Sequence, residues 1–307
     1  SKMASARADN LLIATYLSAK CPVYFAPAMD LDMHKNKANQ ININKLVEFG
    51  NLHVPVNSGF LASGLEGEGR MQEPREIIDF ISSSILKEMK FFKKKILITA
   101  GPTYEKIDSV RFIGNFSSGK MGFSLAQTAA KLGAEVYLIT GPTSLNVTNS
   151  RIEIFNVTSA DEMYNITNEL FPEVDIAILS AAVSDYKPKR FVNYKIKKEI
   201  NSDLNIELVS NVDILNHLGK IKKENQLLIV FALESDNEID NAKKKLNNKN
   251  LDAVVLNSLN DKGAGFNSDN NKITFINNKN EIIKFNLKSK LEVSKDIFNE
   301  IIKLVHV

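Results

Sequence analysis

The chain has 307 residues, 44% hydrophobic and 24% charged, the composition of a globular protein with room for about two domains, each with its own core. Its net charge of +3, from 39 basic and 36 acidic residues, is too small and too scattered to argue for nucleic acid, though it suits small polyanionic substrates. One cysteine, Cys21, excludes an internal disulfide framework and fits a reducing, cytoplasmic compartment; no apolar run reaches the ~18 residues of a membrane span, and no signal peptide is visible.

Residues 2–19 are expected to be helical. The helix is already under way at Ser1 and lacks an initiator Met, so the chain is expected to be cut there. Strand 23–28, a helix over 36–49, strand 52–56 and a helix from 74 to about 88 follow. Alternating strands and helices predict a parallel sheet with helices packed on it; two strands are too few for a stable sheet, so this is the back half of a domain. The run KEMKFFKKK, residues 87–95, is a solvated helix end and linker before it is a phosphate-attracting patch.

A second α/β unit begins at Ile96. Strand 96–100, helix 118–132 with Gly133 in its stop position, and strands 136–140 and 152–157 come first. The next helix opens on a capping box, Ser159 and Glu162, each able to satisfy the other's backbone donor. Strand 175–181 ends in a polar loop. Strand 206–209, helix 212–220, strand 227–232, helix 239–248 and strand 253–257 follow, then a hairpin turning at 277–280 and a terminal amphipathic helix from about 289. The pattern predicts a doubly wound α/β sheet with antiparallel additions at its end.

GNFSSGKMG, residues 114–122, matches the spacing of a phosphate-binding P-loop, but Met121 stands where a metal-binding hydroxyl belongs. A P-loop also follows its strand directly. Here thirteen residues intervene after strand 96–100. Gly64, Gly67 and Gly69 reverse the glycine spacing of a dinucleotide fingerprint and follow no strand. What remains is a helix start, with Ser117, Ser118, Gly119, Lys120 and Gly122, whose free N–H groups attract an anion or are simply capped. Asp185 follows strand 175–181, Asn211 is placed to cap helix 212–220, Lys245 and Lys249 lie one helical turn apart, and Lys195 and Lys197 share a face if extended. Each has a plain reading as surface, cap or turn. Together they mark the carboxyl edge of an open sheet, where such folds place ligands.

ITAGPTYEKIDSVRFIGNFSSGKMG, AAVSDYKPK, KIKK, SNVDIL, FALES and GFNSDNN resemble, in order and spacing, phosphopantothenate–cysteine ligase. Upstream, FAPAMDLDM and LASGLEGEGRMQEP resemble the last part of phosphopantothenoylcysteine decarboxylase, a flavin enzyme, and the two are fused in the bifunctional family of coenzyme A biosynthesis. The resemblance implies a partial flavodoxin-like flavoprotein domain over 1–90 and a Rossmann-like ligase domain over 91–307. It implies that the carboxylate of 4′-phosphopantothenate attacks CTP, that pyrophosphate leaves, and that L-cysteine displaces CMP from the acyl-cytidylate. It places phosphate at residues 117–122, nucleotide at Leu179, Ser180, Ala181, Asp185, Lys195, Asn211, Val212, Asp213, Ile214, Phe231, Lys245 and Lys249, the acyl intermediate at Asn115, and Mg²⁺ at Asp185. Lys195 counts among the catalytic residues with Asn115. A homodimer through the ligase domain, and a higher oligomer for a full-length chain, are implied as well.

The decarboxylase motifs depart further. Asp30 stands where that family has a catalytic Asn and Ser63 where it has a redox-active Cys, so FMN chemistry is expected only if the domain is completed. A serine hydroxyl ionises far above a thiol's ~8.5. Tyr104 replaces a usual Arg and Val212 a usual Pro. Cys21 is expected to be buried, and His34, His53, His217 and His306 lack metal spacing. Three functions thus stand side by side: a CTP-dependent ligase, a flavin-dependent lyase, and a nucleotide-binding module without catalysis.

Overall fold

The computed structural model describes residues 1–197, 204–258, 260, 261, 263, 265 and 268–305. Lys198 of KIKK, Phe266 and Asn267 of GFNSDNN, and His306 lie outside the described residues. The chain divides into two compact units, Ser1–Glu88 and Met89–Val307. Among the described residues no helix is long and apolar enough to cross a membrane.

The smaller unit runs α1 (Leu11–Ser18), β1 (Tyr24–Phe25), α2 (Leu31–Lys35), α3 (Lys37–Glu48), β2 (Leu52–His53), β3 (Asn57–Phe60), β4 (Glu66–Arg70) and α4 (Pro74–Lys87). The first helix starts at Leu11 and not at residue 2, because the Asn10 side chain caps it by accepting from Ile13 N at 3.0 Å. β1 and β2 pair in parallel. The glycine-rich stretch left unassigned by the sequence forms an antiparallel hairpin, β3 with β4. Cys21 is exposed, contrary to the expectation of burial.

The larger unit runs β5 (Lys95–Ala100), β6 (Tyr104–Lys106), β7 (Phe112–Gly114), α5 (Lys120–Lys131), β8 (Glu135–Thr140), β9 (Ile152–Asn156), α6 (Ala160–Leu170), β10 (Ile176–Leu179), β11 (Tyr186–Pro188), β12 (Leu208–Ser210), α7 (Ile214–Ile221), β13 (Leu227–Glu234), α8 (Glu238–Asn248), β14 (Ala253–Ser258), β15 (Asn270–Asn271), β16 (Thr274–Asn277), β17 (Ile282–Lys284), β18 (Lys288–Ser289) and α9 (Lys290–Val305). Its main sheet has the order β17-β16-β14-β13-β10-β5-β8-β9. The strands from β14 to β9 are parallel, and β16 and β17 add on antiparallel. The chain winds outward from β5 to β9, then returns to β10 on the other side of β5. The switch point therefore lies between β5 and β10.

Alternation along β5 builds both faces. Ile96, Ile98 and Ala100 enter one buried cluster with Phe123 and Leu125 of α5 and Ile297 and Phe298 of α9. Leu97 enters the other, with Met163, Leu215, Leu218 and Leu246 from α6, α7 and α8. Period-2 burial on a strand covered by helices on both sides is what a doubly wound sheet requires. The capping box at α6 is realised only in half. Ser159 Oγ accepts from Glu162 N at 3.2 Å, but the Glu162 carboxylate takes Thr158 N, at 2.7 Å, and not Ser159 N.

Candidate functional site

α5 begins at the mouth of β5. Its first-turn neighbour Gly119 has φ of +81°, a left-handed conformation that costs glycine nothing. Gly122 faces the end of β5, where a Cβ would stand 2.4 Å from Ala100 Cβ. Absence of a side chain at Gly122 lets the helix start close against the strand end. Across the switch point, residues 180–184 are tied back to β5 and its extension. Ser180 Oγ donates to Thr99 O at 2.6 Å, Ala181 N to Thr99 Oγ1 at 3.2 Å, and Ser184 N to Thr103 Oγ1 at 3.0 Å.

Two cavities open at this edge. The first, about 190 Å³, is lined by Ser117, Ser118, Gly119, Lys120 and Gly122, by Ser180, Ala181 and Phe231, and by Asn257, Asn271 and Lys290. The second, about 400 Å³, is lined by Leu179, Ala181, Asp185, Asn211, Val212, Asp213, Ile214, Phe231, Lys245 and Lys249. Ala181 and Phe231 belong to both, so the two cavities meet at the ends of β10 and β13.

Of the site residues named from the sequence in the larger unit, Asn115 and Lys195 line neither cavity. Asn115 stands beside the first, its Nδ2 donating to Ala182 O at 3.0 Å. Lys195 is exposed on a segment without regular structure. Asn211 does not cap α7: its Nδ2 donates to Ser184 O at 2.8 Å, and Asp213 is the cap, accepting from Asn216 N at 2.9 Å. Lys249 is the residue that ends α8, and its Nζ meets Asp213 at 2.6 Å.

Charge is concentrated here. Burial pushes the Asp213 carboxyl up, but the Lys249 ammonium and the Asn216 amide outweigh it and hold the group below its ordinary range. Lys120 Nζ meets Asp269 at 2.5 Å and holds that carboxyl down. Lys290 is only 7% exposed, with its Nζ on Ser268 O (2.6 Å) and Gly265 O (3.2 Å); burial first, then Lys120, pull its pKa down. Lys290, Asn257, Thr99 and Thr103 escaped the sequence reading. The two threonines carried a signal, polar residues bracketing the end of a strand otherwise buried. Lys290 carried none, since a lysine opening an amphipathic helix is ordinary.

In the smaller unit the two decarboxylase-like stretches meet, Met29 N donating to Gly69 O at 2.9 Å. Asp30 precedes α2 without capping it, and Ser63 is exposed in the β3–β4 turn.

These features define a doubly wound, Rossmann-like α/β protein with a cation-lined crevice at its switch point. Residues 91–305 match the model of the DNA/pantothenate metabolism flavoprotein C-terminal domain, and residues 1–86 match the flavoprotein model. The chain is 40% identical to the coenzyme A biosynthesis bifunctional protein CoaBC of Bacillus subtilis (strain 168), over 99% of this chain and 75% of the relative. It is 50% identical to a cysteine/cysteine sulfinic acid decarboxylase of an unknown prokaryotic organism, over 99% of this chain and 86% of the relative. The crystal structure of a CoaBC C-terminal domain superposes with a TM-score of 0.61 at 40% identity, covering 71% of this chain and 99% of that one. The chain belongs to the family of coenzyme A biosynthesis bifunctional proteins, which carry a ligase half and a decarboxylase half.

Proposed function

We propose that the larger unit joins 4′-phosphopantothenate to L-cysteine with CTP as the activating nucleotide. The observation that carries this reading is the meeting of two cavities at Ala181 and Phe231. One suits a nucleotide, with Asp185 and the 211–214 turn at its wall and Lys245 and Lys249 for phosphate. The other, with the α5 entrance, Lys120 and Lys290, suits a second anionic substrate. In the first step the acid's carboxylate oxygen bonds to the α-phosphorus of CTP and the α–β bridge breaks, releasing pyrophosphate. In the second, the cysteine amine bonds to the acyl carbon, the bond to CMP breaks, and the amine loses its proton. Lysines stabilise the charge that grows on the departing pyrophosphate, Lys195 among them; Asn115 orients the acyl-cytidylate.

Mg²⁺ fits this site as a companion of the polyphosphate. Among the described residues no group of three or more acidic, His or Cys side chains gathers for it, and Asp213 is engaged by Lys249. Asp185 is the carboxylate that would hold it, and the ion would neutralise phosphate charge. The flavoprotein match supports FMN in the decarboxylase half. Residue 63 there supplies a hydroxyl and no thiol, so no flavin step is assigned to it. We place the protein in the cytoplasm as a homodimer, with the edge strand β17 free to take part in assembly.

The test is release of pyrophosphate and CMP from CTP, with ATP in parallel, each with and without phosphopantothenate and cysteine. Pyrophosphate release requires phosphopantothenate, and CMP release also requires cysteine. Nucleotide turnover indifferent to phosphopantothenate rejects the reading.

A further inference from the structure

The turn between β6 and β7 carries a charged pair, a buried Asp108 against an exposed Arg111. Asp108 is 1% exposed. Its Oδ1 accepts from Val110 N and Arg111 N, each at 2.8 Å, as an aspartate in a turn commonly does. Its Oδ2 does something a turn does not need. It accepts from Arg111 Nε at 3.0 Å, from Arg111 Nη2, and from Ile196 N at 3.1 Å, a donor far along the chain. Arg111 Nη2 also donates to Ile196 O at 2.9 Å. Both backbone groups of Ile196 are therefore bound by a single ion pair.

Residues 195–197 have no regular secondary structure, and Lys195 and Lys197 on either side of Ile196 are exposed. A segment of this kind, bearing cations that repel one another, gains nothing by lying in one place unless something holds it. The bond to the guanidinium keeps the Asp108 carboxyl well below its ordinary range despite burial. Burying a carboxylate this completely is costly unless every lone pair is used. Here it is used on a strap.

We propose that Asp108 and Arg111 are positioning residues that hold the 195–197 segment by the backbone of Ile196, and so set where Lys195 is offered to the nucleotide. This rests on the ligase reading for Lys195's role, though not for the hold itself. A lysine on a loose segment is correctly placed only part of the time, and apparent nucleotide affinity falls by that fraction.

The experiment uses the whole chain with Asp108→Asn, and Arg111→Lys as a second variant that keeps the charge but loses the fork. Limited trypsin digestion with mass mapping follows the bond after Lys195. Both variants should be cut there about tenfold faster than wild type, with thermal midpoint and cleavage elsewhere little changed. In the pyrophosphate assay the nucleotide KM should rise about tenfold while the cysteine KM stays put. Unchanged cleavage after Lys195 in a folded variant overturns the hold. Faster cleavage with an unchanged nucleotide KM overturns the positioning role. A wild type that releases no pyrophosphate defeats the ligase reading, and the digestion still decides the hold.

Discussion

Asp213 does two jobs with one carboxylate: Oδ1 caps α7 and Oδ2 meets Lys249. Its folded pKa lies below the ordinary 3.8. A depressed carboxyl contributes stability that is present above the unfolded pKa and lost as pH falls through the lower folded value. Asp213→Asn keeps an acceptor for the cap but not the charge. It should be less stable than wild type at pH 7, with the difference shrinking below about pH 4. Urea denaturation at pH 7, 5 and 3 reads this; a difference independent of pH would assign the loss to the cap and not to the ion pair. Because Lys249 lines the second cavity, the same variant also frees an ammonium toward it. On the proposed function, salt bridge and nucleotide would compete for that lysine.

The contact of α5 with β5 leaves no room for one more atom. A Cβ on residue 122 would stand 2.4 Å from Ala100 Cβ and 3.0 Å from Ser180 Oγ. Gly122→Ala should therefore cost about 1–3 kcal/mol in urea denaturation, as overpacking does. It should also weaken the anion binding proposed for the α5 entrance by displacing the helix start; an unperturbed variant would show that α5 can shift freely. Elements of this kind were legible in the sequence. Strands β5, β8, β13 and β14 are apolar runs bounded by polar loops, and α5 ends where Gly133 takes φ of +95°. The short hairpins were not. β6 pairs with β7 and β3 with β4 over three or four residues, and such pairs are set by tertiary packing more than by local pattern. Asn211 shows the same limit at the site. Two residues before the true cap, it had the right chemistry for α7 and was taken by Ser184 O instead. Asp185 and the lysines could be picked out by their place at strand ends and by helical or extended spacing, whereas Asn115 came from the resemblance of a long motif alone.

At the scale of the molecule, the two units differ in how much they bury. Both large apolar clusters lie within the larger unit, on opposite faces of one sheet. In the smaller unit Ala4, Ile13, Leu46 and Val54 are buried, while Leu11, Leu12, Phe49, Phe60 and Ile78 are exposed. A unit of this size with so few buried side chains has little to set against the entropy of its own chain. The two cavities, by contrast, are lined wholly from the larger unit. Expressed alone, Met89–Val307 should unfold cooperatively near the midpoint of the whole chain and show the pyrophosphate release proposed for it. Ser1–Glu88 alone should show no cooperative transition. Calorimetry and the coupled assay on the separate pieces check both statements. Should the larger piece melt well below the whole chain yet remain active, the halves lend each other stability but not catalysis. Should it stay folded and lose activity, residues of the first 88 complete a site that the geometry assigns to the larger unit alone.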